Sequence, residues 1–152
     1  MSYYDNLNKL NIELPAVAAP VAAYVMYVQS GKNVFLSGHI AKKNGQVWVG
    51  QLGKTMATEE GRDAARQVAI DMIATLQAAC DGDLNKVKRI VKLTSLVNSA
   101  PDFTEHHLVT NGASELLVEV FGEAGKHARA AFGVAQIPLG ACVELEMVVE
   151  LH

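Results

Sequence analysis

The side chains best suited to chemistry lie near the C-terminal end of the chain, in the segment RAAFGVAQIPLGACVELEMVVEL that begins at Arg129. From Cys142 onward this segment alternates as a strand does, with apolar residues on one face and Glu144, Glu146 and Glu150 on the other. A carboxylate can act as a general base, and a guanidinium fork can bind a planar carboxylate through two hydrogen bonds. Residue types alone leave the ordinary alternative open, in which Arg129 belongs to a surface ion pair and Glu144 is a solvated carboxylate.

The histidines and cysteines do not form a recognisable metal set. His106 and His107 are adjacent on a predicted helix and therefore point apart, and no further residue completes a zinc site at a known spacing. Cys80 and Cys142 match no metal or redox motif, so we expect buried thiols. His127 is expected to be solvated. The sequence thus predicts no metal and no organic cofactor.

Length and charge limit the classes of protein to consider. A chain of 152 residues is most simply one domain, residues 1–152, with a poorly patterned N-terminal arm over residues 1–20. The net charge of −3 and the absence of a basic block argue against a nucleic-acid partner; the densest basic run, KVKRIVK, is expected to be a solvent-exposed strand edge. The N-terminus lacks the pattern of a signal peptide, and the apolar run AVAAPVAAYVMYV is short and interrupted by Pro20. We therefore expect a cytoplasmic protein with no membrane partner.

The elements that must position these groups alternate between strands and helices. Two strands flank a turn at Gly31, and Asn44 opens an Asn-Gly hairpin signal. A helix is predicted from an N-cap at Thr58 to a stop at Asp81, and after one strand comes a second helix with a predicted apolar stripe of Leu108, Gly112, Leu116, Leu117 and Val120. Two strands complete the order β-β-β-α-β-α-β-β. This order predicts an α+β two-layer sandwich, a single mixed sheet with both helices on one face. Its uncovered face would meet other copies in a closed homo-oligomer.

Two motifs resemble a known family. The C-terminal pattern ARAAFGVAQIPLGACVELEMVVE resembles the signature of the RidA/YjgF imine deaminases, and FLSGHI is similar to that family's Ser-Gly-Gln-Ile element. The resemblance extends from about Tyr24 to the C-terminus. It implies a fold like that of the trimeric kind of chorismate mutase: a homotrimer in which three sheets form a central barrel, the helices lie outside, and a cleft opens at each subunit interface.

The resemblance also implies roles for individual residues. Arg129 matches the arginine that binds the substrate carboxylate, and Glu144 matches the glutamate that positions and deprotonates the attacking water. Pocket positions are implied for four further residues: Tyr24, Gly38, Asn111 and Ala131. We expect the guanidinium and the acid of one chain to converge on a single space at the seam between identical neighbours.

The implied activity is hydrolysis of small 2-imino or enamino acids to 2-oxo acids and ammonia, with a small carboxylate-bearing molecule as the partner. Ala131 stands where the family often has cysteine, and His39 stands where it usually has glutamine, which indicates a divergent branch. One alternative is a carboxylate-binding sensor without turnover. Another is an endoribonuclease, a label that some family members carry, although the negative net charge argues against it.

Overall fold

The structure is a computed structural model that describes residues 2–17, 19 and 22–152. Its helices and strands follow the predicted order, with one helix added at the N-terminus and four strands rather than three before the first long helix: α1 Tyr3–Lys9, β1 Tyr27–Ser30, β2 Asn33–Ile40, β3 Lys42–Lys43, β4 Gln46–Val47, α2 Thr58–Ala79, β5 Val87–Asn98, α3 His106–Phe121, β6 Ala128–Val134 and β7 Val143–Leu151. Short 3₁₀ turns lie at Leu84–Lys86, Gly122–Gly125 and Pro138–Gly140. The α+β class is confirmed.

The main sheet is mixed, as predicted. Its strand order is β1-β2-β7-β5-β6, and β5 with β6 is the parallel pair while the other neighbours are antiparallel. The helix α3 forms the crossover that a parallel pair requires. The apolar face of β7 packs beneath α2, and its residues are buried: Val143, Leu145, Met147, Val149 and Leu151. This alternation fixes which side of the sheet each polar residue occupies.

The other side of the sheet, called the open face below, carries Val28, Phe35, Glu144, Leu96 and Phe132. Register places these residues together, because Val28 pairs with Phe35 while Leu96 pairs with both Glu144 and Phe132. Val28, Phe35 and Phe132 are each about half exposed in the single chain, at 53%, 47% and 46%. No helix in the described part of the chain covers this face, so it presents apolar rings and methyl groups to its surroundings.

The turns follow their sequence signals closely. Asn44 and Gly45 both have positive φ, 54° and 77°, as a two-residue hairpin between β3 and β4 requires. The end of α2 is likewise marked by Asp81 and Gly82 at positive φ. At its start, Ala57 is the N-cap and Thr58 is the first helical residue, so the predicted cap was wrong by one position; the Thr58 hydroxyl donates to Glu105 instead.

The first half of β5 does not alternate between buried and exposed residues as a regular strand does. The residues from 87 to 93 follow a buried-exposed-exposed pattern, since the pairing with β7 shifts register twice, between Val87 and Arg89 and again between Ile90 and Lys92. The extra residue at each shift forms a bulge. The second bulge leaves Val91 37% exposed. Pairing with β6 begins only at Lys92, so the first part of this basic strand is indeed an edge.

Part of the predicted arm is ordered into α1. Ser2 and Asp5 form a capping box, with each side chain accepting a hydrogen bond from the other residue's backbone N–H. Leu7 is buried, and the Asn6 amide donates to the carbonyl of Val120 at 2.8 Å, which fastens the helix to the end of α3. Pro20, at the predicted boundary of the arm, lies outside the described residues. Among the helices described, none is long and apolar enough to span a bilayer.

Candidate active site

Glu144 lies on the open face of β7 directly over Gly38 of β2. A Cβ added to Gly38 would lie 3.0 Å from Oε2 of Glu144, so the carboxylate occupies the space that any larger residue would need. This contact coincides with a register shift in β2 between Leu36 and His39, where the strand is irregular. Burial raises the pKa of Glu144, and the nearby Glu146 raises it further. No hydrogen-bond partner for this carboxylate is present among the residues that the structure describes.

Tyr24, Gly38 and Glu144 line one cleft of about 1160 Å³. Its other walls come from the β3–β4 hairpin, from the polar side of α2 and from Leu139, whose side chain is 75% exposed. Tyr24 is itself 53% exposed and lies at the side of this opening. The structure therefore brings together three of the six residues that the family resemblance assigned to the site.

His39, which also borders the cleft, is held as a structural histidine. Its Nδ1 lies 2.6 Å from the carbonyl of Ser37, and because a carbonyl only accepts, Nδ1 carries the proton. Nε2 therefore accepts from the hydroxyl of Thr75 at 2.8 Å. Burial lowers the pKa of His39. Both ring nitrogens are engaged, and the ring is fixed as a neutral hydrogen-bonding group.

Arg129 lies on β6 with its guanidinium against α3. Nη1 donates to Oδ1 of Asn111 at 2.9 Å and to Oγ of Ser114 at 3.1 Å, and Nη2 donates to the carbonyl of His107 at 3.4 Å. A guanidinium has five N–H donors, so these bonds leave Nε–H and one Nη2–H without a partner in the described part of the chain. The resemblance predicted Asn111 at the site, and the structure places it in contact with Arg129.

The two halves of the expected site do not converge within one chain. Arg129 pairs with Leu93, which is fully buried beneath the helices, so the guanidinium is on the helix side of the sheet. Glu144 pairs with Leu96 on the open face, and β5 separates their strands. The expectation that both groups of one chain reach a single space is therefore wrong. Ala131 pairs with the buried Ser95, which places it on the same side as Arg129.

Comparison with known proteins decides the family. Residues 5–151 match the family described as "YjgF/chorismate mutase-like, putative endoribonuclease". The chain belongs to this YjgF family. That assignment confirms the resemblance seen in the C-terminal motif.

Relatives of the chain share nearly its whole length. Protein TCP17 of Trypanosoma cruzi is 51% identical over 149 residues, which cover 97% of this chain and 92% of that protein. The 2-iminobutanoate/2-iminopropanoate deaminase of Dermatophagoides farinae is 28% identical over 141 residues, covering 93% and 95%. A crystal structure from Shewanella oneidensis, whose description repeats the family's endoribonuclease label, superposes with a TM-score of 0.95 at 34% identity, covering 99% and 100%.

This YjgF-family chain also holds a polar pair that its sequence did not reveal. His127 is partly buried and hydrogen-bonded at both ring nitrogens, to the carbonyl of Gly125 at 2.6 Å and to Oγ of Ser114 at 2.9 Å. The expectation that it is solvated was wrong. The two side chains are separated by 13 positions and by the end of α3, so no local spacing could have indicated their contact.

The two cysteines are the buried thiols that the sequence predicted. Cys80 and Cys142 are free and buried, and burial raises the pKa of Cys142 to about 11. His106 contacts Ser99 through Nε2 at 3.1 Å and packs edge-on against the ring of Phe103. Among the described residues there is no group of three His, Cys, Asp or Glu side chains that could hold a metal ion.

Proposed function

We propose that this protein hydrolyses small 2-imino or enamino acids to 2-oxo acids and ammonia, in a site assembled from two neighbouring copies of the chain. One copy supplies Arg129, which binds the carboxylate, and the other supplies Glu144, which activates water. The observation that carries the proposal is the state of Glu144. It is a half-buried carboxylate without a hydrogen-bond partner in the described residues, it has a raised pKa, and it lies over Gly38 in an open cleft.

The binding half uses the two N–H donors of Arg129 that internal contacts leave available. Asn111, Ser114 and the His107 carbonyl hold the guanidinium, so little side-chain freedom is lost when a ligand binds. A charge-assisted hydrogen bond contributes about 1.5–3 kcal/mol. A carboxylate bound through both donors would hold its neighbouring imine carbon at a fixed distance from the protein.

The catalytic half requires little beyond a base. An imine carbon is electrophilic, so water attacks it as Glu144 removes a proton from that water and passes a proton to the nitrogen. The resulting carbinolamine loses ammonia as its hydroxyl proton departs, which gives the 2-oxo acid. General-base assistance of this kind contributes typically about 10²–10⁴-fold.

The open face supports the assembly from several copies. Its apolar side chains, Val28, Phe35 and Phe132, are about half exposed in one chain, and a second copy of the same face would cover them. The family resemblance favours three copies around a central barrel. Light scattering of the purified protein at micromolar concentration should give the mass of a trimer; a monomer mass would contradict the two-chain site.

The direct test of activity uses 2-aminoacrylate generated in the assay by a dehydratase. The protein should release pyruvate and ammonia faster than the buffer control does. Support comes from the 28%-identical relative described as a 2-iminobutanoate/2-iminopropanoate deaminase.

Release at the buffer rate, with the carboxylate still bound, would instead favour the second candidate, a carboxylate-binding protein without turnover. That candidate is favoured by the way Arg129 is fully oriented without any contribution from Glu144.

An endoribonuclease activity is the third candidate. The family description carries that label, but the chain has a net charge of −3 and its basic run on β5 is partly neutralised, since Lys88 pairs with Glu150 at 3.0 Å. Binding of RNA depends on clustered cationic side chains. Single-stranded RNA incubated with highly purified protein should remain intact; cleavage that is lost in Arg129→Ala would contradict this expectation.

A further inference from the structure

A chain of hydrogen bonds connects the backbone carbonyl of Gly125, through His127 and Ser114, to the guanidinium of Arg129. The carbonyl of Gly125 can only accept, so the Nδ1 atom of His127, 2.6 Å away, carries the proton. In the neutral ring Nε2 is then an acceptor, and it receives the hydroxyl proton of Ser114 at 2.9 Å. With its hydrogen committed to the ring, Ser114 Oγ offers a lone pair to Nη1 of Arg129 at 3.1 Å.

We propose that His127, acting through Ser114, positions the Arg129 guanidinium and makes its affinity for a carboxylate increase as the pH falls. This inference rests on the proposed function, because it concerns the carboxylate that Arg129 binds there. His127 is a positioning residue: no contact between it and the substrate is required. Its role depends on Ser114, whose Oγ atom is hydrogen-bonded to both the His127 ring and the Arg129 guanidinium.

Protonation of His127 reverses one bond in this chain. Nε2 becomes a donor, so Ser114 Oγ accepts from both His127 and Arg129, and its own hydrogen is released to point towards the ligand space. A second positive charge also appears close to the first, because Nε2 and Nη1 each bond to the same oxygen and therefore lie at most about 6 Å apart. Both changes favour a bound anion.

The direction of the pH effect follows from linkage. Burial lowers the pKa of His127, and the positive charge of Arg129 lowers it further, while the bond to Gly125 acts in the opposite sense. A bound carboxylate offsets the charge of Arg129, so the pKa of His127 is higher in the complex than in the free protein. Ligand affinity therefore rises as the pH falls through the interval between these two pKa values, and it is constant below both.

Other charged groups around His127 are engaged elsewhere or face away. Glu115, next to Ser114 on α3, pairs with Arg62, and Glu123 of the 3₁₀ turn pairs with Lys126. On β5, Arg89 donates to the carbonyl of Lys126, and the exposed Lys92 pairs through its backbone with Ala128. Arg129 is the charge that acts directly on the His127 ring.

The test measures pyruvate binding to the full-length protein by isothermal titration calorimetry from pH 8 to pH 5, a range in which the ligand remains ionised. Wild-type affinity should rise at least about fivefold, the lower range of typical coupling between two sites. His127→Gln keeps an acceptor for Ser114 but does not titrate, so in a Glu144→Gln background, where the carboxylate of the site does not titrate either, it should bind pyruvate with an affinity independent of pH. Ser114→Ala should lose the dependence, and Ser114→Thr, which restores the hydroxyl, should recover it.

A second serine–histidine pair, Ser99 and His106, supplies a matched control, because no arginine bonds to it within the part of the chain that the structure describes. His106→Gln should keep the wild-type pH dependence. The inference is overturned if His127→Gln in the Glu144→Gln background retains a dependence on pH, or if wild-type affinity does not change with pH. In both cases, loss of binding in Arg129→Ala would leave the proposed carboxylate site standing. Absence of pyruvate binding to the wild-type protein would contradict the carboxylate site and this inference together.

Discussion

The two halves of the candidate site differ in how completely one chain builds them. Around Arg129, three protein groups accept hydrogen bonds from the guanidinium, and a partly buried histidine fixes one of those acceptors. Around Glu144, the neighbouring group is the backbone of Gly38, and the carboxylate has no partner in the described residues. The groups that orient the guanidinium thus all belong to one chain. The carboxylate of the catalytic half instead faces the cleft without a hydrogen-bond partner in the described residues.

This difference separates affinity from turnover. A guanidinium already held in place binds a ligand without further ordering, which is the role of preorganisation. A carboxylate with a raised pKa and no internal partner is a stronger base than a solvated one, and it is available to a water molecule. Changes in the first half should therefore act on substrate binding, and changes in the second should act on the rate of the bound complex.

Loss of the guanidinium should have the largest effect. Arg129→Ala removes two charge-assisted hydrogen bonds to the substrate, each contributing about 1.5–3 kcal/mol, so kcat/KM for 2-aminoacrylate should fall about 10²–10⁴-fold. Circular dichroism and thermal melting should remain close to wild type, since Arg129 is on an edge strand. An active Arg129→Ala variant would show that the carboxylate is bound elsewhere. Arg89→Ala, on the adjacent strand, is the matched control and should retain activity.

Loss of the base should affect kcat rather than KM. Glu144→Gln keeps the volume of the side chain but cannot accept the proton, so kcat should fall about 10²–10³-fold while pyruvate still binds. Glu146→Gln, on the same face of β7, is the control and should retain most of the activity. Equal losses in the two variants would mean that Glu144 has no special role.

The pH profile should show the same distinction. Because Glu144 must be ionised to act and its pKa is raised by burial, kcat should fall on the acid side at a pH above the ordinary range for a glutamate. The acid limb should be absent from the residual activity of Glu144→Gln. A wild-type profile whose kcat is flat through the weakly acidic range would indicate that another group limits the rate.

Crowding at Gly38 should have an intermediate effect. In Gly38→Ala the new methyl group would meet the Glu144 carboxylate at 3.0 Å and displace it by a few tenths of an ångström. We expect kcat to fall about tenfold with little change in stability, because small displacements of catalytic groups strongly reduce rates. Gly45→Ala is not a suitable control, since the φ of 77° at that position adds strain of its own.

The smallest effect is expected from Asn111. In Asn111→Ala one acceptor of Nη1 is lost, and the guanidinium gains freedom although Ser114 and the His107 carbonyl still hold it. KM should rise about three- to tenfold and kcat should stay near the wild-type value, as for loss of one hydrogen bond to a charged group. A selective fall in kcat would place Asn111 in the catalytic half.

The sequence was informative wherever the signal is local. The Asn44–Gly45 hairpin, the stop of α2 at Asp81 and Gly82, and the alternation of β7 are all confirmed, since each depends on a few neighbouring residues. The bulges of β5 were not predictable, because they arise from pairing with β7. In α3 the buried stripe includes Val109 rather than the half-buried Leu108, since packing against α2 and the sheet selects the face.

The site was only partly predictable for the same reason. Residue types and the family motif pointed to Arg129, Glu144, Gly38 and Asn111 as candidates, but the side of the sheet that Arg129 takes depends on its register with Leu93 across a parallel pair. The hydrogen-bonded pair of Ser114 and His127 has no sequence signature, because the end of α3 and the residue before β6 come together only in the folded chain.

The most direct test of the account mixes two inactive variants. Arg129→Ala and Glu144→Gln chains, carrying different tags, are co-expressed and the mixed oligomers are purified. If each site takes its arginine from one copy and its glutamate from the next, every mixed trimer has both groups intact in one of its three sites, and about a third of wild-type activity should return. If mixed oligomers form but remain as inactive as each variant alone, Arg129 and Glu144 do not act together across the subunit interface, and the proposed site is contradicted.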